Sequence, residues 1–222
     1  LVLDGVASRL RSDSIRLTLD NFDISPLSAL LGRWGYNIAG VTNGYATVKS
    51  ALSNPEIEAA ISLDSLAVNG LKAPPQDITS NWDFKDNRAR VFIIERDRRD
   101  TVIRGYYQPQ GNRYYARASM QNMKLALISP FLKDIISDIE GDADIEARIV
   151  GEGRQATLSG SATVDDIGAT VDYTKVRYRA PKAELIIKDN HFIAERVPVS
   201  DMEGNRGSFS MDISLERLSN IT

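Results

Sequence analysis

Along much of the chain, apolar and polar residues alternate one by one. The alternation is clearest over residues 56–63, 142–149 and 208–215, where an apolar residue occupies every second position. Successive side chains of a strand point to opposite faces of a sheet, so this period predicts strands with one apolar and one solvated face. Turn residues separate the segments at intervals of roughly 8–12 residues, as in an antiparallel meander. The predicted turns include Ser53–Pro55, Lys85–Asn87, Gly151–Gly153 and Gly204–Asn205.

The sequence also resembles itself at a spacing close to 101 residues. Residues 15–22 match residues 116–123, and the dipeptide Ser25-Pro26 recurs as Ser129-Pro130. Other matches keep the same order at spacings between 97 and 104 residues, which favours a duplicated unit over chance. The predicted units are two tandem β repeats, residues 1–110 and 111–222.

Two closed, ordinary domains are the alternative to one continuous repetitive sheet. The junction between the repeats, Gln108–Asn112, has the composition of a hairpin turn and not of a flexible linker. The second repeat begins directly after it. This favours the continuous arrangement.

Each repeat contains one candidate for a short helix. Ser129 is suited to the N-cap and Pro130 to the first helical position, where its missing N–H costs nothing. Apolar residues then fall on one helical stripe, and Gly141 is suited to end the helix, which predicts a helix near residues 130–140. A weaker counterpart predicts a helix near residues 26–34. Such a helix could plug the end of an apolar trough, support its back, or complete an ordinary core.

Composition narrows the possible functions. The chain has 222 residues, of which 42% are hydrophobic and 26% charged, so it should fold. Its net charge of −3, without a basic stripe, argues against nucleic acid as a partner. Cysteine is absent, which removes disulfides and thiolate sites. No apolar run reaches the roughly 18 residues of a membrane-spanning helix, and no signal peptide is recognisable. We interpret the chain as an internal fragment, with any anchor or export signal outside it.

The residues give little sign of chemistry, and we expect no enzyme activity, metal or cofactor. His191 follows a turn, and no Gly-x-Ser-x-Gly elbow accompanies it, so we interpret it as a solvated turn residue. Asp142, Asp144 and Glu146 are calcium candidates, but on one strand face they are about 7 Å apart and too extended to wrap one ion. Gly151-x-Gly153 is followed by no helix signal, so it is not a phosphate loop.

Two further features leave binding roles open. Residues 95–100 mix both signs of charge and predict a hairpin tip, although their arginines could instead bind lipid headgroups. Trp82 and Phe84 alternate on a strand, and tyrosine pairs at 106–107 and 114–115 flank a turn. Tyrosines on both sides of one hairpin favour packing across strands, with sugar binding as a minor alternative.

Three stretches, residues 19–27, 38–48 and 54–61, together present an inner strand, a short helix, a glycine-containing strand, and an Asn-Pro turn with strand. In this order they resemble the translocation and assembly module family, TamB, which belongs with the AsmA-like bridge proteins of the bacterial envelope. Both repeats follow this order, but the second has Gln155-Ala156 where the first has Asn54-Pro55. The resemblance covers nearly the whole chain through degenerate strand patterns.

The resemblance implies an elongated antiparallel sheet rolled into an open trough, a β-taco, which is apolar inside and polar outside. Members of the family are anchored in the inner membrane, cross the periplasm and meet an outer-membrane barrel of the Omp85 type. They are linked to phospholipid movement between membranes and to outer-membrane protein assembly. For this chain the resemblance implies a periplasmic segment, with the anchor and the barrel contacts in other parts of the full-length protein.

The apolar faces of the predicted strands are candidates for the lining of such a trough. Leaving them in water costs about 25 cal/mol per Å², so phospholipid acyl chains are natural occupants. Ordinary core packing is the alternative for each residue. The candidate lining residues are Val48, Ile57, Ala59, Ile61, Leu63, Val91, Ile93, Ile145, Ala147, Ile149, Leu158, Val164, Leu185, Ile187, Phe209, Met211 and Ile213.

Together with these apolar faces, the resemblance implies a segment that forms an apolar groove for phospholipid transport between the inner and outer membranes, for outer-membrane protein assembly, or for both. A structural or adhesive β-repeat with a filled core and no bound lipid is the alternative. An enzyme such as a glycan hydrolase fragment comes third, because it needs two carboxylates converging in a cleft.

Overall fold

A computed structural model describes residues 1–32, 35–132 and 135–214, leaving aside the side chain of Phe131. Strands account for 67% of the structure and helices for 7%, so the prediction of a mainly β, antiparallel fold is confirmed. The strands are β1 (Val2–Gly5), β2 (Ser14–Asp23), β3 (Ile38–Ala39), β4 (Val41–Lys49), β5 (Glu56–Leu63), β6 (Ala67–Val68), β7 (Leu71–Lys72), β8 (Gln76–Asp83), β9 (Arg88–Glu95), β10 (Asp100–Gln108), β11 (Arg113–Lys124), β12 (Ile136–Glu152), β13 (Gln155–Val171), β14 (Val176–Lys188), β15 (His191–Asp201) and β16 (Arg206–Ser214).

Most of these strands belong to one large antiparallel sheet. Its order is β1-β2-β4-β5-β8-β9-β10-β11-β12-β13-β14-β15-β16, while β3, β6 and β7 form a small separate sheet. The strands of the large sheet therefore lie side by side in the order in which they follow one another along the chain, as in a meander, with the strands of the small sheet falling between some of them.

The turns explain why the chain reverses where it does. Asn87, Asn112 and Asn190 have φ of 51°, 47° and 67°, in the left-handed region. Asn reaches this region more easily than most residues, because its short side chain can bond the local backbone. The predicted turns at residues 53–55, 85–87 and 204–205 fall between adjacent strands of the sheet. The turn predicted at 108–112 overlaps the end of β10 by one residue, and the turn predicted at 151–153 overlaps the end of β12 by two. Residues 96–99 likewise form the predicted hairpin tip between β9 and β10.

The chain divides into two compact units. Unit 1 contains residues 1–116 together with 151–153, and unit 2 contains residues 117–150 and 154–222. The sequence places the boundary between the repeats at residues 110 and 111, six residues earlier than the division at Ala116.

Unit 1 carries a short helical segment and the small sheet beside its main strands. Residues Ser25–Leu27 form a 3-10 turn that continues as helix α1, Ser28–Leu31, where the first helix is predicted. The Ser28 hydroxyl accepts from the Ile38 N–H at 2.8 Å and lies 2.8 Å from the Ile38 carbonyl oxygen, tying α1 to β3. The last predicted helical residues, 33 and 34, lie outside the described part of the chain.

Unit 2 contains a small packed core. Its buried residues are Leu125, Ala143, Val164, Ala180, Ala183, Ala194 and Val197. Alanines supply four of these seven positions, so the core is thin. Along β12, residues 143–149 alternate between buried or half-buried and exposed positions, which confirms the predicted one-sided strand.

The second predicted helix is wrong in its position. Leu125–Leu132 forms a 3-10 segment, and strand β12 begins at Ile136, so residues 136–140 are strand and not helix. Ser129 does not cap a following helix, because its hydroxyl donates to the Ala126 carbonyl at 2.8 Å and closes the preceding turn. Gly141 lies inside β12 with φ of 125° instead of ending a helix. Among the described residues, none of the helices is long and apolar enough to cross a membrane.

Candidate functional site: a half-buried apolar face

One face of the main sheet in unit 1 is assembled from apolar residues by strand register. Ile61 of β5 lies opposite Ile78 of β8, Ile78 lies opposite Ile93 of β9, and Ile93 lies opposite Ile103 of β10. Directly opposed residues in antiparallel strands share a face, so these four side chains form one line across four strands. We call this line the isoleucine row and the face that carries it the apolar face.

A second line on the same face runs beside the isoleucine row and consists of smaller residues. Ala46 lies opposite Ala59, Ala59 opposite Ser80, Ser80 opposite Val91, and Val91 opposite Gly105. We call these five residues the small-residue row. It contains no charged side chain, and neither does the isoleucine row.

Larger side chains lie on the other side of the small-residue row, away from the isoleucine row. Val48 lies opposite Ile57, and Trp82 follows Ser80 by two residues on the same strand face. On β5 and β8 the small-residue row therefore lies between bulkier residues.

The opposite face of these strands is mainly polar, although β9 places Phe92 and Ile94 on it. Arg96 binds Asp64 and Asp77 at 2.7 Å each and also donates to the Ser62 hydroxyl. The hydrogen bonds from Arg96 hold the pKa of both aspartates below the ordinary value, and the two carboxylates raise the pKa of Arg96. The arginine is thus neutralised by protein carboxylates on the face away from the isoleucine row.

Most hydrophobic residues of the apolar face are half-buried, neither exposed nor packed into a solid core. Within the described part of unit 1, Ile24 and Ala89 are the only buried hydrophobic residues. Of the seventeen candidate lining residues in both units, Val164 and Ile187 are buried, Phe209 is 43% exposed and the other fourteen are half-buried. A filled interior would bury most of these side chains, as protein cores are close-packed.

In unit 2 the corresponding apolar residues meet more protein. Ile128 of the 3-10 segment, Ile145, Leu185 and Met211 pack against the buried core around Val164. Ile149 and Leu158, two candidate lining residues of unit 2 outside this core, remain half-buried. The two units therefore differ in how far their apolar residues are covered.

Several local features occur in both units at the same spacing of 101 residues. The Asn21 N–H donates to the Asn43 side chain at 2.7 Å in unit 1, and the Asn122 N–H donates to Asp144 at 2.9 Å in unit 2. Asn21 and Asn122 are both left-handed, with φ of 43° and 54°. Ile24 and Leu125 are both buried, and Gly40 and Gly141 both have positive φ.

At one end of unit 1, side chains join turns that a flat sheet would separate. The Asn54 side chain, which follows β4, donates to Asn87 at 3.1 Å and accepts from Gln110 at 3.3 Å. Strands β5 and β10 lie three positions apart in the sheet, roughly 14 Å if it were flat. The turns at this end therefore converge.

The residues that could support catalysis or metal binding are used in pairing. His191 contacts Asp212 at 2.7 Å on the surface, at the start of β15. Lys124 binds Asp142 at 2.6 Å, and Arg117 binds Glu146 at 3.2 Å, so β11 neutralises these two acidic residues of β12. Over the described ranges, no group of three or more His, Asp or Glu residues is arranged to hold a metal ion.

Aromatic residues also pack within the sheet. The rings of Tyr106 and Tyr115 stack with centroids 5.7 Å apart, as predicted for tyrosines across a hairpin. Arg88 lies over the Tyr106 ring at 4.5 Å, and Arg11 over the exposed Phe84 ring at 4.7 Å. These contacts give the aromatic side chains a structural role.

The sequence predicts part of this site but not all of it. Ile61, Ile93, Ala59 and Val91 were among the candidate lining residues. Ile78 and Ile103 complete the isoleucine row, and Ala46, Ser80 and Gly105 complete the small-residue row, yet none of these five was a candidate. Alternation over residues 76–82 could have indicated Ile78, but which residues lie opposite one another requires the register.

Comparison with known proteins adds no further identification. No protein-family model matches the sequence, and neither a curated protein nor a solved structure matches it. The family resemblance therefore stays a prediction.

Proposed function

We propose that this chain is a segment of a TamB-like or AsmA-like envelope bridge protein and that its apolar face binds phospholipid acyl chains. The observation that carries the proposal is the half-buried state of the apolar face in unit 1. Strands that pair in register present aliphatic side chains on one side, and the described residues of the unit cover them only in part.

The free energy of hydrophobic burial supports this occupant. Half-buried aliphatic residues still expose surface, and removing that surface from water contributes about 25 cal/mol per Å². Each methylene of a guest that is buried against the face adds about 0.8 kcal/mol. Because the two rows contain no charged side chain, a hydrocarbon chain that covers them buries no charge.

The wider proposal follows the resemblance described above. We infer an open trough made of two tandem repeats, located in the periplasm as part of an inner-membrane-anchored protein. Its partners would be phospholipids and, through other parts of the full-length protein, an Omp85-type barrel. The features shared at a spacing of 101 residues support the duplication, and the converging turns of unit 1 are consistent with a curved sheet.

A structural β-repeat without lipid is the second candidate. The core of unit 2 favours it, since Leu125 of the 3-10 segment and Val164 are buried together. On this hypothesis the apolar residues serve packing alone, and the half-buried residues of unit 1 would have no ligand.

Lipid extraction distinguishes the two candidates. The purified chain is expressed in a bacterial periplasm, washed free of detergent, extracted with organic solvent and examined by mass spectrometry. We expect phospholipid at a reproducible molar ratio, and we expect the stripped protein to bind a fluorescent phospholipid again. A well-folded preparation that yields no lipid and takes none up would leave the structural repeat as the better explanation.

A further inference from the structure

The two rows of the apolar face define a furrow. Ala46, Ala59 and Ser80 of the small-residue row have short side chains, whereas the flanking residues are bulkier, with Ile61 and Ile78 on one side and Val48, Ile57 and Trp82 on the other. The surface is therefore lower along Ala46, Ala59 and Ser80 than on either side. The furrow crosses the strands, because its members are related by strand pairing and not by position along one strand.

The furrow has the width of a single hydrocarbon chain. It spans the three strands β4, β5 and β8, which at about 4.8 Å per strand gives roughly 10 Å, and Ser80 lies at one end of it, because on β9 the row continues with the larger Val91. That length holds the part of an extended fatty acyl chain that is nearest to its head. One row of small residues has the width of one such chain and not of two.

A polar group inside the furrow points to the chemistry of the ligand. Ser80 is only 8% exposed, and its hydroxyl has no hydrogen-bond partner among the described residues. Its direct cross-strand neighbours are Ala59 and Val91, neither of which offers a polar side chain. A buried hydroxyl without a partner costs free energy, which a hydrogen-bond acceptor brought by a ligand would recover.

We propose that the furrow binds one acyl chain and that the Ser80 hydroxyl donates a hydrogen bond to the carbonyl oxygen at the head of that chain. This inference rests on the proposed function and adds the position and chemical class of the ligand. The carbonyl belongs to a phospholipid ester or to a free fatty acid. Since the Ser80 hydroxyl is closed to water, a neighbouring side chain must rotate to admit the carbonyl.

The test compares lipids that differ in the carbonyl alone. The probes are an ester-linked phosphatidylglycerol, its ether-linked analogue with the same chains, and palmitate. Binding is followed through the fluorescence of Trp82, which lies two residues from Ser80 on the same face. The background variant Trp34→Phe makes Trp82 the sole tryptophan.

Ser80→Ala should weaken binding of the ester-linked lipid, of palmitate, or of both by about three- to tenfold, the contribution of one neutral hydrogen bond. Binding of the ether-linked lipid should not weaken. The probe that responds identifies the source of the carbonyl, and Ser80→Thr, which keeps the hydroxyl, should restore its affinity. An equal effect of Ser80→Ala on the ester-linked and ether-linked lipids, or no effect on any probe, overturns the assigned contact.

A second pair of variants tests the furrow itself. Ala59→Leu fills it and should weaken binding of all three probes at least tenfold, while Ala60→Leu places the same side chain on the opposite face and should not. Equal binding by these two variants overturns the furrow. If the unsubstituted protein binds none of the probes, the proposed function itself fails, and this result is distinct from the others.

Discussion

Replacing Ile61 by arginine is the most direct perturbation of the apolar face. Ile61 lies in the centre of β5, half-buried, opposite Ile78 on one side and Gly44 on the other. Burial of a whole isoleucine side chain contributes about 1.5–3 kcal/mol, so a half-buried one contributes roughly 1 kcal/mol to stability. The arginine stem can lie along the face while its guanidinium reaches water, which limits the cost further. Ile61→Arg should therefore still fold.

The effect of Ile61→Arg on lipid binding should be larger than its effect on stability. A guest chain that crosses the isoleucine row at this position loses apolar contact for about two or three methylenes, close to 2 kcal/mol at about 0.8 kcal/mol each. This corresponds to a loss of affinity of roughly thirtyfold. Covering the guanidinium with hydrocarbon adds a desolvation penalty in the same direction.

The matched control is Ala60→Arg, one residue away on the same strand. Ala60 lies opposite Tyr45 and Thr79, on the polar face. Affinity for a fluorescent phospholipid and the midpoint of urea unfolding are measured for both variants and for the unsubstituted chain. A folded Ile61→Arg protein that binds lipid as tightly as the unsubstituted chain would refute the reasoning, as would equal losses in both variants. In unit 2, Ile149→Arg with Val150→Arg as its control provides the same comparison, because Val150 is 49% exposed.

Three further predictions concern stability and are each checked by urea unfolding. Val164→Ala should cost about 2 kcal/mol through lost burial and an unfilled cavity, and an unchanged midpoint would contradict the core assigned to unit 2. Arg96→Met should destabilise the protein near neutral pH. The partner aspartates have lowered pKa values, so their ion pairs with Arg96 contribute to stability above the ordinary pKa of 3.8 and are lost when the carboxylates are protonated below it. The difference in unfolding midpoint between the variant and the unsubstituted protein should therefore disappear as the pH falls below 3.8. Asn122→Ala should cost about 1–2 kcal/mol because alanine disfavours the left-handed region, whereas Asn122→Gly should cost less; a reversed order would contradict the conformation.

The fold class was predictable because it depends on local periodicity. In β12, the alternation of Ala143, Ile145, Ala147 and Ile149 with charged residues fits only a period of two, and the structure follows it. Turns were predictable for a similar reason, since Asn87 and Asn112 occupy left-handed positions that few residue types accept. These features need no information about distant residues.

The prediction of the second helix was wrong because a short apolar run is compatible with both the helical period and the strand period. Ile135, Ile136 and Ile139 lie on one helical stripe, but Ile139 also belongs to the alternation that continues through Ile145. Strand pairing along a seventeen-residue β12 satisfies many more backbone groups than one short helix would. Ser129 gave a misleading signal, because a hydroxyl that could cap a helix can equally close the turn before it.

The site itself was only partly predictable, because its shape depends on register. Sequence alternation places Ala59 and Ile61 on one face, but it does not say that Ala59 meets Ser80 while Ile61 meets Ile78. A slip of two residues would keep every apolar side chain on the same face and yet mix the two rows. The furrow therefore exists only in the assembled sheet.

The two rows also bear on how a lipid could move. Ile61, Ile78, Ile93 and Ile103 repeat one side chain at every strand, so a hydrocarbon chain that shifts by about 4.8 Å along the row meets the same contacts again. Because the contacts before and after such a shift are equally strong, the binding free energy of the lipid changes little, which favours movement along the row over tight binding at one position. Ser80 interrupts this uniformity with one hydrogen bond, worth about 1 kcal/mol, which is enough to set a preferred position and too little to trap the lipid. Kinetics separate these roles: Ser80→Ala should speed dissociation of an ester-linked lipid by about threefold to tenfold and leave its association rate nearly unchanged, whereas slowed association would indicate that the hydroxyl controls entry instead.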